Sequence, residues 1–378
     1  MKILVYGSAL LSTHLVPCIE SAGHHIISNP AQQPDLIIGL NELEQSAALS
    51  LNLKKPMVVW FTDNHRFQSK NAPEFLKQNS FMFCFSKSQQ EWFNEAGWRH
   101  SYYLPLAVDT KTFKPLQKTT KISFMGELRH MTSDSAMVQL LHPLRLKADP
   151  KTTLGQELGK FFEYIERFII EKCCLLQPVN RSRLYEDFHK CCPTAFHKYI
   201  ELFNQSLWED ALFENYNAIL RAKVCRELKD DLDIWGTFND WNTLGDWPGH
   251  HQRRAVYPHE WSEICGKSNI GLNLFRPDPM HGIPLKAFEI AACSVLLTND
   301  HPMLRTVFTP DTDCMVFNSF DEAKEKYAYL MSNPDVLQKL SKNSRELMDK
   351  KHQYSHRWHF MEKCFKETGV IKNQEISI

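Results

Sequence analysis

Twice in this chain a short apolar run stops at a glycine and hands over to alternating strand and helix patterns. The first run is Lys2-Ile3-Leu4-Val5-Tyr6-Gly7 and the second is Lys121-Ile122-Ser123-Phe124-Met125-Gly126. A strand that passes through a helix to reach the next strand builds a parallel sheet. Two such starts predict two doubly wound α/β domains, with a cleft between them where a ligand would bind. The 378 residues are enough for two domains of ordinary size.

In the first third the strands are expected at Lys2–Tyr6, Asp35–Gly39, Met57–Phe61, Phe81–Phe85 and Ser101–Leu104. Amphipathic helices at Leu11–Ala22 and Ser88–Ala96 separate them, and Gly97 is placed to end the second. The second domain resumes the alternation at Leu232–Gly236, Ala255–Tyr257, Ile270–Phe275, Val295–Thr298 and Cys314–Phe317. Between its first strand and the rest, apolar residues recur at helical spacing in Leu158–Cys174 and Ala195–Leu228, which reads as a helical insertion. The expected boundaries are 1–115, then 116–350 with the insertion at about 132–230, then a C-terminal helix and tail over 351–378, and the pattern from Asp335 to Glu367 reads as one helix.

Charge excludes some partners. Lysine plus arginine and aspartate plus glutamate both number 44, so no net field favours nucleic acid or an anionic membrane. No stretch approaches the roughly 20 apolar residues of a membrane span. Eleven cysteines without a secretion signal read as reduced thiols of a cytoplasmic protein. The adjacent pairs Cys173-Cys174 and Cys191-Cys192 lack the spacing of a zinc site.

The richest stretch runs from Asn269 to Cys293 as strand, polar loop and helix. In an open parallel sheet, ligands bind at the carboxyl ends of strands, and a helix N-terminus there offers free N–H groups to an anion. Gly282 would let backbone approach a phosphate, and Pro284 suits a first helical turn. Lys286 and Glu289 fall on one helical face, placed to hold a diphosphate and a ribose hydroxyl. The competing reading is an exposed ion pair of little consequence. On the other side of the expected cleft, Asp63 and His65 follow a strand end and are candidate bases for an acceptor proton. A turn or helix cap is the plain alternative for Asp63-Asn64. His352, His356 and His359 share a helical face, but no carboxylate or cysteine completes a metal set, so a structural role is expected.

The segment Asn273 to Leu297, Asn299-Asp300-His301-Pro302, and His352-Gln353-Tyr354 with Arg357 resemble the CgeB-like glycosyltransferases. In the first domain Val58-Val59-Trp60-Phe61-Thr62-Asp63, Phe83-Cys84-Phe85-Ser86 and Tyr103-Leu104-Pro105-Leu106-Ala107-Val108-Asp109 fit the same family. The resemblance implies a GT-B fold, two Rossmann-like domains, and a metal-independent transfer from a nucleoside-diphosphate sugar. It places Gly126 and Arg129 on the diphosphate, Tyr257 near the base, and Arg276, Ile283 and Gly282 in the donor site. In related retaining enzymes two glutamates separated by seven residues hold sugar and ribose; Glu289 matches the second, and His281 occupies the first position. The acceptor, whether protein, glycan or small molecule, is not specified. An epimerase on the same fold, or a non-catalytic nucleotide-sugar-binding protein, remains open.

Overall fold

The computed structural model describes residues 1–63, 72–126, 149–173, 176, 178–236, 250–252, 255–278 and 281–369. Its contacts separate two units. One comprises Met1–Phe113, Met280–Ala292 and Arg345–Ile378, and the other Lys114–Pro279 and Cys293–Ser344.

The first unit is built on β1 (Lys2–Gly7), β2 (His25–Ile27), β3 (Leu36–Leu40), β4 (Met57–Trp60), β5 (Ser80–Cys84) and β6 (His100–Tyr103). All pair in parallel, in the order β2-β1-β3-β4-β5-β6. Every residue of β3, β4 and β5 is buried, which is why these strands read as unbroken apolar runs. The short edge strand β2 carries no such run and escapes a reading by pattern. Strand order reverses between β1 and β3, where Gly7 takes φ +99° and a Cβ would lie 2.2 Å from the Leu40 carbonyl oxygen. Only glycine lets β1 turn off there.

Helix Ala9–Ser21 leaves that turn with Ser8 as its cap and buries Leu11, Leu15 and Ile19 at helical spacing. It packs against Tyr354–Thr368, so the C-terminal helix belongs with the first sheet. The expected single tail helix is broken in two, Pro334–Lys351 and Tyr354–Thr368. The break is held by the buried Arg357, whose guanidinium donates to the carbonyls of Pro105 (2.7 Å), Leu106 (2.7 Å) and Lys351 (3.0 Å) and to His352 Nδ1 (2.6 Å). His352 therefore lies between helices, not on one helical face with His356 and His359, and its Nδ1 lone pair is already engaged.

The second unit contains β7 (Thr120–Met125), β8 (Leu232–Trp235), β9 (His250–Gln252), β10 (Ser268–Asn273), β11 (Val295–Asn299) and β12 (Met315–Phe317). Its parallel order is β12-β11-β10-β7-β8-β9, with the reversal between β7 and β10. The expected strand Ala255–Tyr257 is instead the lead-in to helix His259–Lys267. Val256 is exposed there, and its N–H is taken by the Glu260 carboxylate at 2.6 Å, so it has no ladder to join. The strand lies upstream as β9, a polar edge segment without an apolar signal. At the amino end of this sheet's strands, Lys118 donates to the carbonyls of Gly266 (2.9 Å), Ser268 (2.7 Å) and Cys293 (2.9 Å).

The insertion forms helices Thr153–Cys173, Arg181–Cys191, Thr194–Ile200 and Gln205–Glu227, while its expected start at 132–148 lies outside the described residues. The pattern over Ala195–Leu228 reads as one helix, but Asn204 interrupts it by capping the last one, accepting from the Leu207 N–H at 2.9 Å. That helix buries residues all round, including Trp208, Leu212, Tyr216 and Val224, as a central helix must. Its apolar side chains join Ile122, Ile234 and Leu272 of the sheet in one core. The insertion is thus part of the second unit's core. No described helix is long and apolar enough to cross a membrane, and no disulfide joins the described cysteines. Cys191 is exposed and Cys192 buried, so these neighbours point apart.

Candidate active site

The carboxyl edge of the first sheet is assembled from the turns that follow β3, β4 and β5. Asn41 adopts φ +61°, donates its N–H to Trp60 O at 2.8 Å and accepts from the Thr62 N–H at 3.3 Å. Beyond β5, Ser86 caps helix Lys87–Glu95 by accepting from the Gln89 N–H at 3.2 Å. The Gln89 side chain accepts from the Phe85 N–H at 3.0 Å and donates to Asp63 O at 3.4 Å, tying the β4 and β5 turns together. Sequence reasoning did not single out Gln89. The available signal was Ser86-Lys87-Ser88-Gln89, a serine three residues before a glutamine at a helix start.

Onto this edge the chain returns with Gly282 and helix Leu285–Cys293. Gly282 is buried, and a Cβ on it would lie 2.4 Å from the Phe85 carbonyl oxygen and 2.8 Å from the Phe85 ring. The close approach that the glycine permits in this structure is to Phe85. His281 is set edge-on to the same ring at 5.1 Å. Its Nδ1 lies 2.9 Å from Gly282 O, and a carbonyl only accepts, so Nδ1 carries the hydrogen. Its Nε2 faces the Asp63 carboxylate at 3.5 Å, with Asp63 more than half exposed. Two residues named from sequence on opposite sides of the expected chemistry, Asp63 and His281, are therefore neighbours.

On the helix itself Ile283 is buried, Lys286 is half-buried in the first turn and Glu289 is 1% exposed. The Tyr354 hydroxyl is pushed above its ordinary range, first by burial and then by the charge of Glu289. Glu289 is a buried carboxylate, not half of an exposed ion pair. His65 and Arg129 lie outside the described residues.

Gly126, Arg276 and Tyr257 belong to the second unit. Gly126 ends β7 at the strand-order reversal, donating its N–H to Trp235 O at 3.0 Å. Arg276 follows β10 on the other side of that reversal, which is where open parallel sheets bind ligands. Tyr257 is half-buried in the turn before helix His259–Lys267. The loop bearing Arg276 is held on its β11 side by side chains the sequence reading did not assign. Asn299 Oδ1 accepts from the Phe275 N–H at 2.8 Å, and the His301 ring stacks on Phe275 at 4.6 Å. His301 Nδ1 accepts from the Met303 N–H, so Nε2 donates to Asp278 O at 2.9 Å. No group of three potential metal ligands occurs among the described residues.

Residues 217–363 match the family described as glycosyl transferase-like. No curated protein matches the chain. Among solved structures the chain is similar to Anabaena HepE in complex with UDP and glucose, at 9% identity, 96% coverage of this chain, 99% of that one and a TM-score of 0.51. It is similar to T4 phage BGT in complex with its UDP-glucose substrate at 11% identity, with 99% and 100% covered and a TM-score of 0.52. A DNA modifying enzyme, beta-glucosyltransferase, gives 10% identity, 99% and 100% covered and 0.53. The two parallel-sheet units have the GT-B fold, and the C-terminal part of the chain carries a glycosyltransferase domain.

Proposed function

We propose, from the GT-B fold and the glycosyl transferase-like segment, that this chain moves a sugar from a nucleoside diphosphate to an acceptor hydroxyl. The observation that carries the reading is the pair of Asp63 and His281, 3.5 Å apart at the carboxyl edge of the first sheet. Asp63 is exposed enough to meet an acceptor, and His281, whose Nδ1 hydrogen is committed to Gly282 O, presents Nε2 to it. In the proposed reaction the acceptor O–H proton passes to Asp63 as its oxygen bonds to the sugar C1. The bond from C1 to the diphosphate breaks, and the nucleoside diphosphate leaves with the electron pair. With its hydrogen on Nδ1, the neutral His281 ring offers Nε2 as the acceptor for the carboxylic acid proton that forms on Asp63.

Positive side chains assigned to the leaving diphosphate are Arg276, Lys286 and Arg129, with Gly126 giving backbone access. Arginine suits that role because its planar fork binds phosphate oxygens two at a time. Glu289 is assigned to the ribose and Tyr257 to the base. We propose that these cations make a metal unnecessary, so activity persists in a chelator. The motifs around Asn273–Leu297 favour the CgeB-like branch, and the reduced cysteines favour a cytoplasmic setting. UDP is the first nucleotide to try, because it occupies HepE and, as UDP-glucose, T4 phage BGT.

The test begins with a thermal-shift screen of nucleoside diphosphates and their sugars, since a ligand of the native state raises apparent stability. Turnover of the stabilising donor is then followed with and without acceptor. Slow hydrolysis alone and transfer with acceptor are expected, with Asp63→Asn and His281→Gln lowering kcat by about 10²–10⁴-fold. Donor isomerisation without hydrolysis would replace this reading with an epimerase, and binding without any turnover would leave a binding protein.

A further inference from the structure

The helical insertion reaches the loop that carries Arg276. The Val179 N–H donates to Pro277 O at 2.6 Å, immediately before helix Arg181–Cys191. At the first position of that helix Arg181 pairs with Asp210 and presents Nε to the Asp278 carboxylate at 3.9 Å. That Nε atom is buried and makes no hydrogen bond. Phe213, on the central insertion helix, lies under two guanidinium groups: Arg181 at 4.4 Å from its ring centroid and Arg276 at 5.7 Å. One ring thus carries both the arginine that belongs to the insertion and the arginine that belongs to the loop.

We infer that Arg181 is a positioning residue, through which the insertion fixes loop 274–278 and so aims Arg276 at the donor diphosphate. The inference rests on the proposed donor role of Arg276. Its physical basis is that a recognition group contributes most when its direction is set before the ligand arrives. Asn299 and His301 hold the loop from the β11 side only. Pro277 and Asp278, flanking Arg276 on its C-terminal side, are held by Val179 and Arg181. A guanidinium lying on Phe213 has its plane constrained by the ring. Without Arg181, loop 274–278 loses the ion pair that ties Asp278 to the insertion.

The experiment uses the full chain and two independent readouts. Hydrogen exchange of the Leu274, Phe275, Arg276 and Asp278 amides is measured without ligand in wild type, Arg181→Met, Phe213→Leu and Lys172→Met. The last removes an ion pair to Asp187 elsewhere in the insertion and controls for general loosening. Affinities for UDP, GDP, CDP, ADP and TDP are measured by calorimetry on the same proteins and on Arg276→Ala. Arg181→Met and Phe213→Leu are expected to speed loop exchange and weaken the bound nucleotide at least tenfold, with Lys172→Met unchanged in both. Unchanged loop exchange in Arg181→Met would overturn the inference while leaving the proposed function standing. So would faster exchange with undiminished affinity, provided Arg276→Ala still binds more weakly than wild type. Wild-type affinity in Arg276→Ala, or no binding of any nucleotide by wild type, would remove the donor assignment itself.

Discussion

Replacing Gly282 by alanine tests whether the turn before helix Leu285–Cys293 is set by its contact with Phe85. An added Cβ would sit 2.4 Å from the Phe85 carbonyl oxygen, about 1 Å short of the 3.4 Å at which ordinary contact begins. Two ring carbons of Phe85 stand at 2.8 Å. The ring has some freedom, but the carbonyl belongs to the turn stitched by Gln89 and cannot yield alone. The Gly282 segment must therefore move by about 1 Å and take His281 with it. Overpacking of this kind costs about 1–3 kcal/mol, and a displacement of about 1 Å in a reacting group costs about 10²-fold in rate. Urea unfolding of Gly282→Ala, with kcat for donor turnover on the same protein, reads both effects. Adding Phe85→Leu relieves the ring contact and leaves the carbonyl contact, so the double variant should stay impaired. A midpoint equal to wild type would refute the packing argument, and lowered stability with unchanged kcat would refute the link to His281.

Arg357→Met leaves the Pro105, Leu106 and Lys351 carbonyls and His352 Nδ1 without their buried donor, and should lower unfolding free energy by about 3 kcal/mol or more in denaturant titration. Burial, reinforced by the Arg357 charge, pushes the His352 imidazole from 6.5 down to about 3. Below pH 6.5 the unfolded chain binds a proton that the folded chain refuses, so this contribution is complete above that pH and is lost as pH falls toward 3. The slope is at most about 1.4 kcal/mol per pH unit, and His352→Gln should flatten it in unfolding measured between those limits. Lys118→Met strips the donor from three carbonyls and should cost about 1–3 kcal/mol by thermal melting, with nucleotide affinity unchanged.

Much of the site was legible locally. A strand end, a polar loop and a helix start announced themselves between Asn269 and Cys293, and the same logic marked Asp63 after β4. What the pattern did not show is that these two places adjoin, because the residues between them in the chain are unrelated in periodicity. Gln89 and Arg181 were passed over, and Asn299 and His301 were noticed only as part of a motif with no role, because polar side chains in turns look alike until their partners are known.

By itself the sequence determined most of the buried strands and the main helices, though not the edge strands β2 and β9, and that both sheets are parallel, since period, glycine stops and caps report on neighbours within a few residues. It did not determine strand order, which reverses between β1 and β3 in one sheet and between β7 and β10 in the other. Nor did it reveal that Met280–Ala292 and Arg345–Ile378 join the first unit, that Arg357 breaks the tail helix, or that His281 meets Asp63. Those were decided only in the tertiary structure, where buried donors and charges must find partners wherever the chain has brought acceptors close.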